Sequence, residues 1–356
     1  MNPKFHALTI AEVRRELADA ISLRFEVPAE LADDYRFVQG QHLTLKAEID
    51  GQEVRRSYSI CAGVGDGELR VAIKQVGGGL FSTWINGGAI KAGDTLEVMT
   101  PEGRFHAPLD AANAKHYVAF AAGSGITPIL SLIKTTLATE PKSRFTLVYG
   151  NRGTKSVMFG EALEDIKNRY LTRFCFYSLF SREAQDVPLF NGRLDQAKVA
   201  AFVETLIPVA DIDEAFICGP GAMIDEVEAG LLAAGLSADH IHLERFGVPD
   251  VGPAHRVEPG DAAAATITLI QDGLQREVAF RKEDPSILDV ALAAGMDLPF
   301  ACKGGVCCTC RAKVLEGKVR MDKNFALEQS DVDDGYVLTC QAHPLTERVV
   351  ISFDER

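Results

Sequence analysis

This chain has no apolar run of the roughly 18 residues that a membrane-spanning helix needs. Its opening stretch, MNPKFHALTIAEVRRELAD, lacks the continuous apolar core of a secretory signal. A cytoplasmic, reducing setting is therefore expected. No segment is basic: 37 lysines and arginines stand against 50 aspartates and glutamates, a formal net charge of -13, which disfavours nucleic acid and anionic membranes as partners. Only Cys307 and Cys310 have the C-x2-C spacing, whereas a zinc ribbon needs two such knuckles. A disulfide framework belongs to short secreted chains, not to 356 residues with 8 cysteines. His240 and His242 share one face of a short strand with no third ligand candidate nearby, which argues for packing rather than metal binding. No internal repeat occurs, and the only low-complexity tract is Ala262 to Ala265.

What is present is more specific. Cys302, Cys307 and Cys310 lie in ACKGGVCCTC, and Cys340 follows in YVLTC. A C-x4-C-x2-C run with a distant fourth cysteine is the plant-type ligand pattern for a 2Fe-2S cluster. A tight loop must supply three of the thiolates, and Gly304 and Gly305 are expected to give it φ freedom. Cys308, between two ligands, is expected to fill a small slot in the loop.

An apolar content of 47% with 24% charged residues permits a sizeable core, and the length exceeds the ~250 residues at which single cores stop growing. Residues 1–108 carry short alternating runs, ISLRFEV, QHLTLKA, EVRRSYSIC, ELRVAIKQV and DTLEVM, which predict a small antiparallel barrel. Over 109–246, apolar runs (HYVAFAA, RFTLVYG, RFCFYSLF, EAFICG) alternate with helical patterns, the mark of an α/β parallel sheet. Residues 247–264, rich in proline and glycine, read as a linker. After it, 265–356 predict a small α+β domain: strands TITLI and REVAF, a helix capped by Asp284 and closed near Gly295, the cysteine loop, and strands RAKVLEGKV, GYVLTC and RVVISF. The acidic stretch Asp331, Asp333 and Asp334 is expected to be a solvated loop, with docking of a basic partner as the alternative.

HYVAFAA runs into GSGITP and then a helix, so Gly123 and Gly125 permit close approach of backbone to a pyrophosphate, although Pro128 stands where a Rossmann fingerprint has its third glycine. A second glycine turn, ICGPGAM, follows another strand, and Cys218 there either faces a nicotinamide or is a small buried residue. Asn151 and Arg152 follow one strand, and Ser181 and Arg182 the next. Arginine and hydroxyl suit a 2′-phosphate, favouring NADPH over NADH, with simple surface solubility as the alternative. In the barrel segment, Arg56 and Tyr58 alternate on one strand face, and Gly78, Gly79 and Ser82 lead into a helix. Together they suit a phosphate and an aromatic ring, or else form a plain amphipathic strand.

RSYS, GGLFS, AAGSGITP and CGPGAM stand in the order and spacing of the ferredoxin reductase family, and the C-terminal cysteines resemble an appended plant-type ferredoxin. More narrowly, GQHLTLKA, FTLVYGNR, EAFICGP, HLERF and ACKGGVC resemble the reductase subunits of phenylacetyl-CoA epoxidases, multicomponent monooxygenases of phenylacetate degradation. The resemblance spans essentially the whole chain. It implies a β-barrel flavin domain, an α/β nucleotide domain and a β-grasp 2Fe-2S domain, with electrons passing from NADPH through FAD and the cluster to oxygenase subunits.

By the same resemblance, Arg56 contacts the flavin pyrophosphate, Tyr58 packs on the flavin, Ser59 lies near its N5, and Gly79 and Ser82 complete the phosphate site. Gly123, Gly125, Thr127 and Pro128 hold the nucleotide pyrophosphate, Cys218 and Gly219 lie beside the nicotinamide, and Arg182 contacts the 2′-phosphate. Phe246 shields the flavin with Glu244 nearby, although both also suit a hydrophobic strand end. The linker and domain order also resemble the phthalate dioxygenase reductase group, which implies FMN as an alternative to FAD. Other acceptors, such as a ring-hydroxylating dioxygenase or a hybrid cluster protein, and a role as a redox sensor also stay open.

Overall fold

A computed structural model describes residues 3–247 and 256–355. The central part of the predicted linker thus lies outside the described residues. The chain forms two compact units, one comprising His6–Val54 and Tyr58–Phe246, the other built on the C-terminal residues.

The first unit opens with β1 (Phe5–Leu17), β2 (Ala20–Glu26), β3 (His42–Ile49), β4 (Gln52–Ser59), β5 (Leu69–Lys74), helix α1 (Leu80–Asn86) and β6 (Thr95–Met99). The sheet order is β4-β3-β6-β1-β2-β5, and an antiparallel bridge from Ile60 to Val71 joins its two edges, closing the predicted barrel. Alternating residues Leu8 and Ile10, Ile21, Leu23 and Phe25, and Leu43 and Leu45 fill its interior. β1 was not among the expected strands. Its second half, EVRREL, spaces charges as a helix would, and pairing with β2 overrides that local pattern.

The same unit continues with β7 (His116–Ala122), α2 (Ile126–Thr139), β8 (Arg144–Asn151), α3 (Gly160–Arg169), β9 (Phe174–Phe180), α4 (Gln196–Thr205), β10 (Glu214–Cys218), α5 (Gly221–Ala233) and β11 (Ile241–Glu244). The five strands are parallel in the order β11-β10-β7-β8-β9. Continuous apolar strands follow from burial on both faces. Tyr117, Ala119 and Ala121 pack with α2, while Val118 and Phe120 pack with α4 and α5. Full burial of Val118 and of Phe120 contributes about 1.5–3 kcal/mol each. The chain proceeds from β7 outward to β9 and then returns to β10 on the other side. The topological switch point, where open α/β sheets bind ligands, therefore lies between β7 and β10. His240 precedes β11 in a short turn rather than sharing its face. Its Nδ1 lies 2.7 Å from the Asp213 carbonyl, while His242 Nε2 is 2.9 Å from Glu214 Oε2.

The second unit contains β12 (Ala264–Gln271), β13 (Leu274–Arg281), α6 (Ile287–Ala293), β14 (Arg311–Glu316), β15 (Val319–Met321), α7 (Gln329–Asp333), β16 (Tyr336–Leu338), β17 (Ala342–Pro344) and β18 (Arg348–Ser352). Its mixed sheet runs β13-β12-β18-β14-β16, with β12 and β18 parallel, and α6 packs into the common core. Three expectations need correction here. The cap of α6 is Ser286, not Asp284: Ser286 Oγ accepts from the Asp289 N–H at 3.1 Å, while Asp284 accepts from the Arg281 N–H. RAKVLEGKV is two strands in different sheets, broken at Gly317 with φ +86°. The acidic stretch contributes to α7 rather than a solvated loop, because Asp331 is buried and pairs with Arg311 at 3.0 Å.

Candidate functional site

The carboxyl ends of β7, β10 and β11 meet in register, with Cys218 paired to Ala121 on one side and Glu244 on the other. Gly125 stands directly on this edge. A Cβ there would lie 2.1 Å from the Cys218 carbonyl oxygen, so only glycine fits the contact across the switch point. Gly125→Ala should cost about 1–3 kcal/mol through this overlap and weaken nucleotide binding. An unchanged thermal midpoint together with an unchanged KM for NADPH would contradict this packing.

Gly123 has φ +55°, and nothing lies within 4 Å of where its Cβ would be, leaving its backbone open to a ligand. Its carbonyl accepts from the Tyr149 hydroxyl at 2.8 Å, an anchor the sequence did not disclose. Thr127 and Pro128 are buried in the first turn of α2, and the Thr127 hydroxyl donates to the Ser124 carbonyl at 3.0 Å. Gly219, half-buried, follows Cys218 at the end of β10.

The loops after β8 and β9 are zippered together. Ser181 N–H donates to the Asn151 carbonyl at 3.0 Å and Arg182 N–H to the Arg152 carbonyl at 2.9 Å. Glu183, another residue the sequence did not disclose, accepts from both the backbone N–H and the hydroxyl of Thr154 at 2.8 and 2.7 Å. The structure thus brings Arg152, Ser181 and Arg182 side by side, all exposed.

On β4, Arg56 is exposed and Tyr58 half-buried on the same face, and the Tyr58 ring lies 5.7 Å from that of Phe81 on α1. Gly78 is open, with nothing within 4 Å of a Cβ position, and Gly79 caps α1. The Ser82 hydroxyl is already engaged, accepting from the Val76 N–H at 3.1 Å and donating to the Gly79 carbonyl at 3.3 Å. Ser82 thus shapes the glycine loop from within.

Barrel and sheet meet where the Ser59 hydroxyl donates to Glu244 Oε2 at 3.2 Å. Burial pushes the Glu244 carboxyl up to about 8, against the opposing effect of Ser59. Burial first, and then Glu244, push the Cys218 thiol well above its ordinary value. Phe246 lies two residues beyond β11 and is 44% exposed.

In the second unit the four expected cluster cysteines converge as two pairs. Cys302 and Cys307 perturb each other's ionisation, and so do Cys310 and Cys340. Among the described residues no three ligating groups converge on a single ion position, and a two-plus-two arrangement is what two irons require. The neighbouring Cys307 holds the Cys302 thiol below its ordinary value, assisted by the Gly304 N–H at 3.3 Å, while Cys307 and Cys310 are pushed up by their partners. Positive φ occurs at Lys303, Gly305 and Cys308 rather than at Gly304, so Gly304 serves as a donor and not as the hinge. Cys308 turns its Sγ to the Ala326 carbonyl at 3.0 Å, as a loop-filling residue would.

Three family models match in this order: an oxidoreductase FAD-binding domain over residues 7–107, an oxidoreductase NAD-binding domain over 120–229 and a 2Fe-2S iron-sulfur cluster binding domain over 269–345. The chain is 49% identical over 352 residues to a subunit of the 1,2-phenylacetyl-CoA epoxidase of Escherichia coli (strain K12), covering 99% of this chain and 98% of that one. The chain belongs to this oxidoreductase family. The ferredoxin reductase component of the 3-ketosteroid-9-alpha-monooxygenase of Rhodococcus rhodochrous is 35% identical, covering 97% of this chain and 96% of the relative. Among solved structures, phthalate dioxygenase reductase shares the fold at a TM-score of 0.59 with 22% identity, covering 98% of both chains. The oxidoreductase therefore carries FAD-binding, NAD-binding and 2Fe-2S domains, and the flavin model that matches is the FAD one. Among its described residues no helix is long and apolar enough to cross a membrane.

Proposed function

We propose that this oxidoreductase is the NADPH-driven reductase of a phenylacetyl-CoA epoxidase, supplying electrons to its oxygenase subunits. The observation that carries the proposal is the 49% identity to the Escherichia coli epoxidase subunit over 99% of this chain and 98% of that one. Bound FAD would supply the exchange between a two-electron hydride donor and a one-electron 2Fe-2S acceptor. The chain's own residues bind and orient. Arg56 and the open backbone at Gly78, with Gly79 packed against Ser82 and Ser82 fixing that loop, hold the flavin phosphates, and Tyr58 presents its ring to the flavin. Gly123, Gly125, Thr127 and Pro128 form the pyrophosphate turn, and Arg152, Ser181 and Arg182 meet the 2′-phosphate. Cys218 and Gly219 border the nicotinamide, and Phe246 covers the flavin ring. Cys302, Cys307, Cys310 and Cys340 are the iron ligands.

Ser59 and Glu244 hold a proton beside the reacting rings. With its carboxyl at about 8, Glu244 is a neutral acid at pH 7. Its contribution to stability is complete below the ordinary carboxyl range and is lost as pH rises through about 8. The rate of NADPH-to-ferricyanide turnover should fall across the same interval. Ser59→Ala should move that limb to higher pH, since Ser59 is what lowers the Glu244 value, and Glu244→Gln should abolish it. A limb that stays in place in both variants would assign it elsewhere.

The function is tested by mixing the protein with purified epoxidase oxygenase subunits. Phenylacetyl-CoA-dependent NADPH oxidation with epoxide formation is expected. NADPH oxidation that ignores phenylacetyl-CoA, alongside coupling to another oxygenase, would reassign the acceptor.

A further inference from the structure

Gln341 ends the short turn Thr339–Gln341 and is 1% exposed. Its Nε2 lies 3.0 Å from the Lys303 carbonyl oxygen, 2.9 Å from the Cys340 carbonyl oxygen and 3.7 Å from Cys340 Sγ. Two carbonyl acceptors at these distances fix the amide orientation, because the opposite flip would set oxygen against oxygen. Gln341 Oε1 is consequently buried with no partner. Burying an unsatisfied acceptor is costly, and an apolar side chain of the same length would avoid that cost. What the amide adds in return is its N–H groups.

Those N–H groups act at two points. One ties down the carbonyl of Lys303, which follows Cys302 and holds φ +49°, a conformation that a lysine rarely adopts unaided. The loop also lies directly on the side chain, since a Cβ on Gly305 would be 3.4 Å from Gln341 Cγ. The other is shared between the Cys340 carbonyl oxygen at 2.9 Å and the Cys340 sulfur at 3.7 Å. Hydrogen bonds to ligand sulfurs favour the more negative, reduced form of an iron-sulfur centre and so raise its potential. Thr339 makes a different cross-link: its N–H and hydroxyl both reach the Cys310 carbonyl, at 3.2 and 2.9 Å, and bind backbone alone.

We propose that Gln341 is a positioning residue of the iron-sulfur centre, holding the Cys302–Cys310 loop against Cys340 and raising the reduction potential through its side-chain amide. The proposal rests on Cys340 being an iron ligand. That premise has its own check: a Cys340→Ser protein that kept the unaltered cluster spectrum would remove the premise without bearing on the amide.

The test is an EPR-monitored redox titration of the full chain with its cluster assembled. In Gln341→Met, the reduced-to-oxidised ratio at the wild-type midpoint potential should fall about fivefold, the effect of one hydrogen bond of ordinary strength. The flavin midpoint should not move. Thr339→Val, which loses a cross-link but no donor aimed at sulfur, should stay at the wild-type cluster potential. A Gln341→Met potential equal to wild type, or an equal shift in Thr339→Val, would overturn the proposal. If Gln341→Met assembles no cluster, wild-type protein labelled with 15N in its glutamine side chains decides. A weak 15N coupling to the reduced centre in pulsed EPR supports the proposal, and its absence overturns it.

Discussion

Cys302→Ser and Cys340→Ser should each leave NADPH-driven ferricyanide reduction within about twofold of wild type while transfer to an iron-protein acceptor falls at least ~100-fold, because a serine hydroxyl is too weak an acid to replace a thiolate on iron. The division follows from where the groups reside. Apart from Arg56, the flavin and nucleotide residues belong to a unit with its own barrel and sheet cores, whereas the four cysteines sit in a unit cored by Ile267, Leu269, Phe280 and Ile351. None of the four cysteines belongs to the first unit's cores. Stopped-flow reduction of the flavin, run beside both steady-state assays, separates the steps. Equal loss of dye and iron-protein activity would show that the two centres do not act in series.

Arg182→Ala should lower kcat/KM for NADPH by about 10- to 100-fold with NADH nearly unaffected, the value of a charge-assisted hydrogen bond to phosphate being about 1.5–3 kcal/mol. The arginine is exposed, yet it is placed by backbone bonds from the β8 and β9 loops and by Glu183 on Thr154. Because of this shared scaffold, Arg152→Ala should give a smaller effect in the same direction. Parallel kinetics with both nucleotides check this, and an unchanged NADPH-to-NADH preference would remove the 2′-phosphate assignment.

Much of this architecture was legible because it depends on local pattern. Runs such as HYVAFAA announce strands buried on both faces, and the spacing of Cys302, Cys307 and Cys310 announces the loop that carries them. Legibility failed where distant residues decide. EVRREL extends β1 because β2 pairs with it, and Asp331 enters a helix because Arg311 neutralises it. Local pattern pointed to Asp284 as the cap of α6, whereas Ser286 takes that place through the Asp289 N–H. The contact between Ser59 and Glu244, the Tyr149 anchor on Gly123 and the Gln341 amide all join residues with no common motif, so no pattern in the sequence exposes them.

The proposed route runs within one chain from a nicotinamide nucleotide through a flavin to a 2Fe-2S centre. An anaerobic titration of the purified protein with NADPH, followed by absorption and by EPR, tests it. Bleaching of the flavin band is expected together with loss of cluster absorbance and the appearance of the reduced-cluster signal. A flavin that bleaches while the cluster stays oxidised in excess NADPH, although dithionite reduces it, would rule the route out.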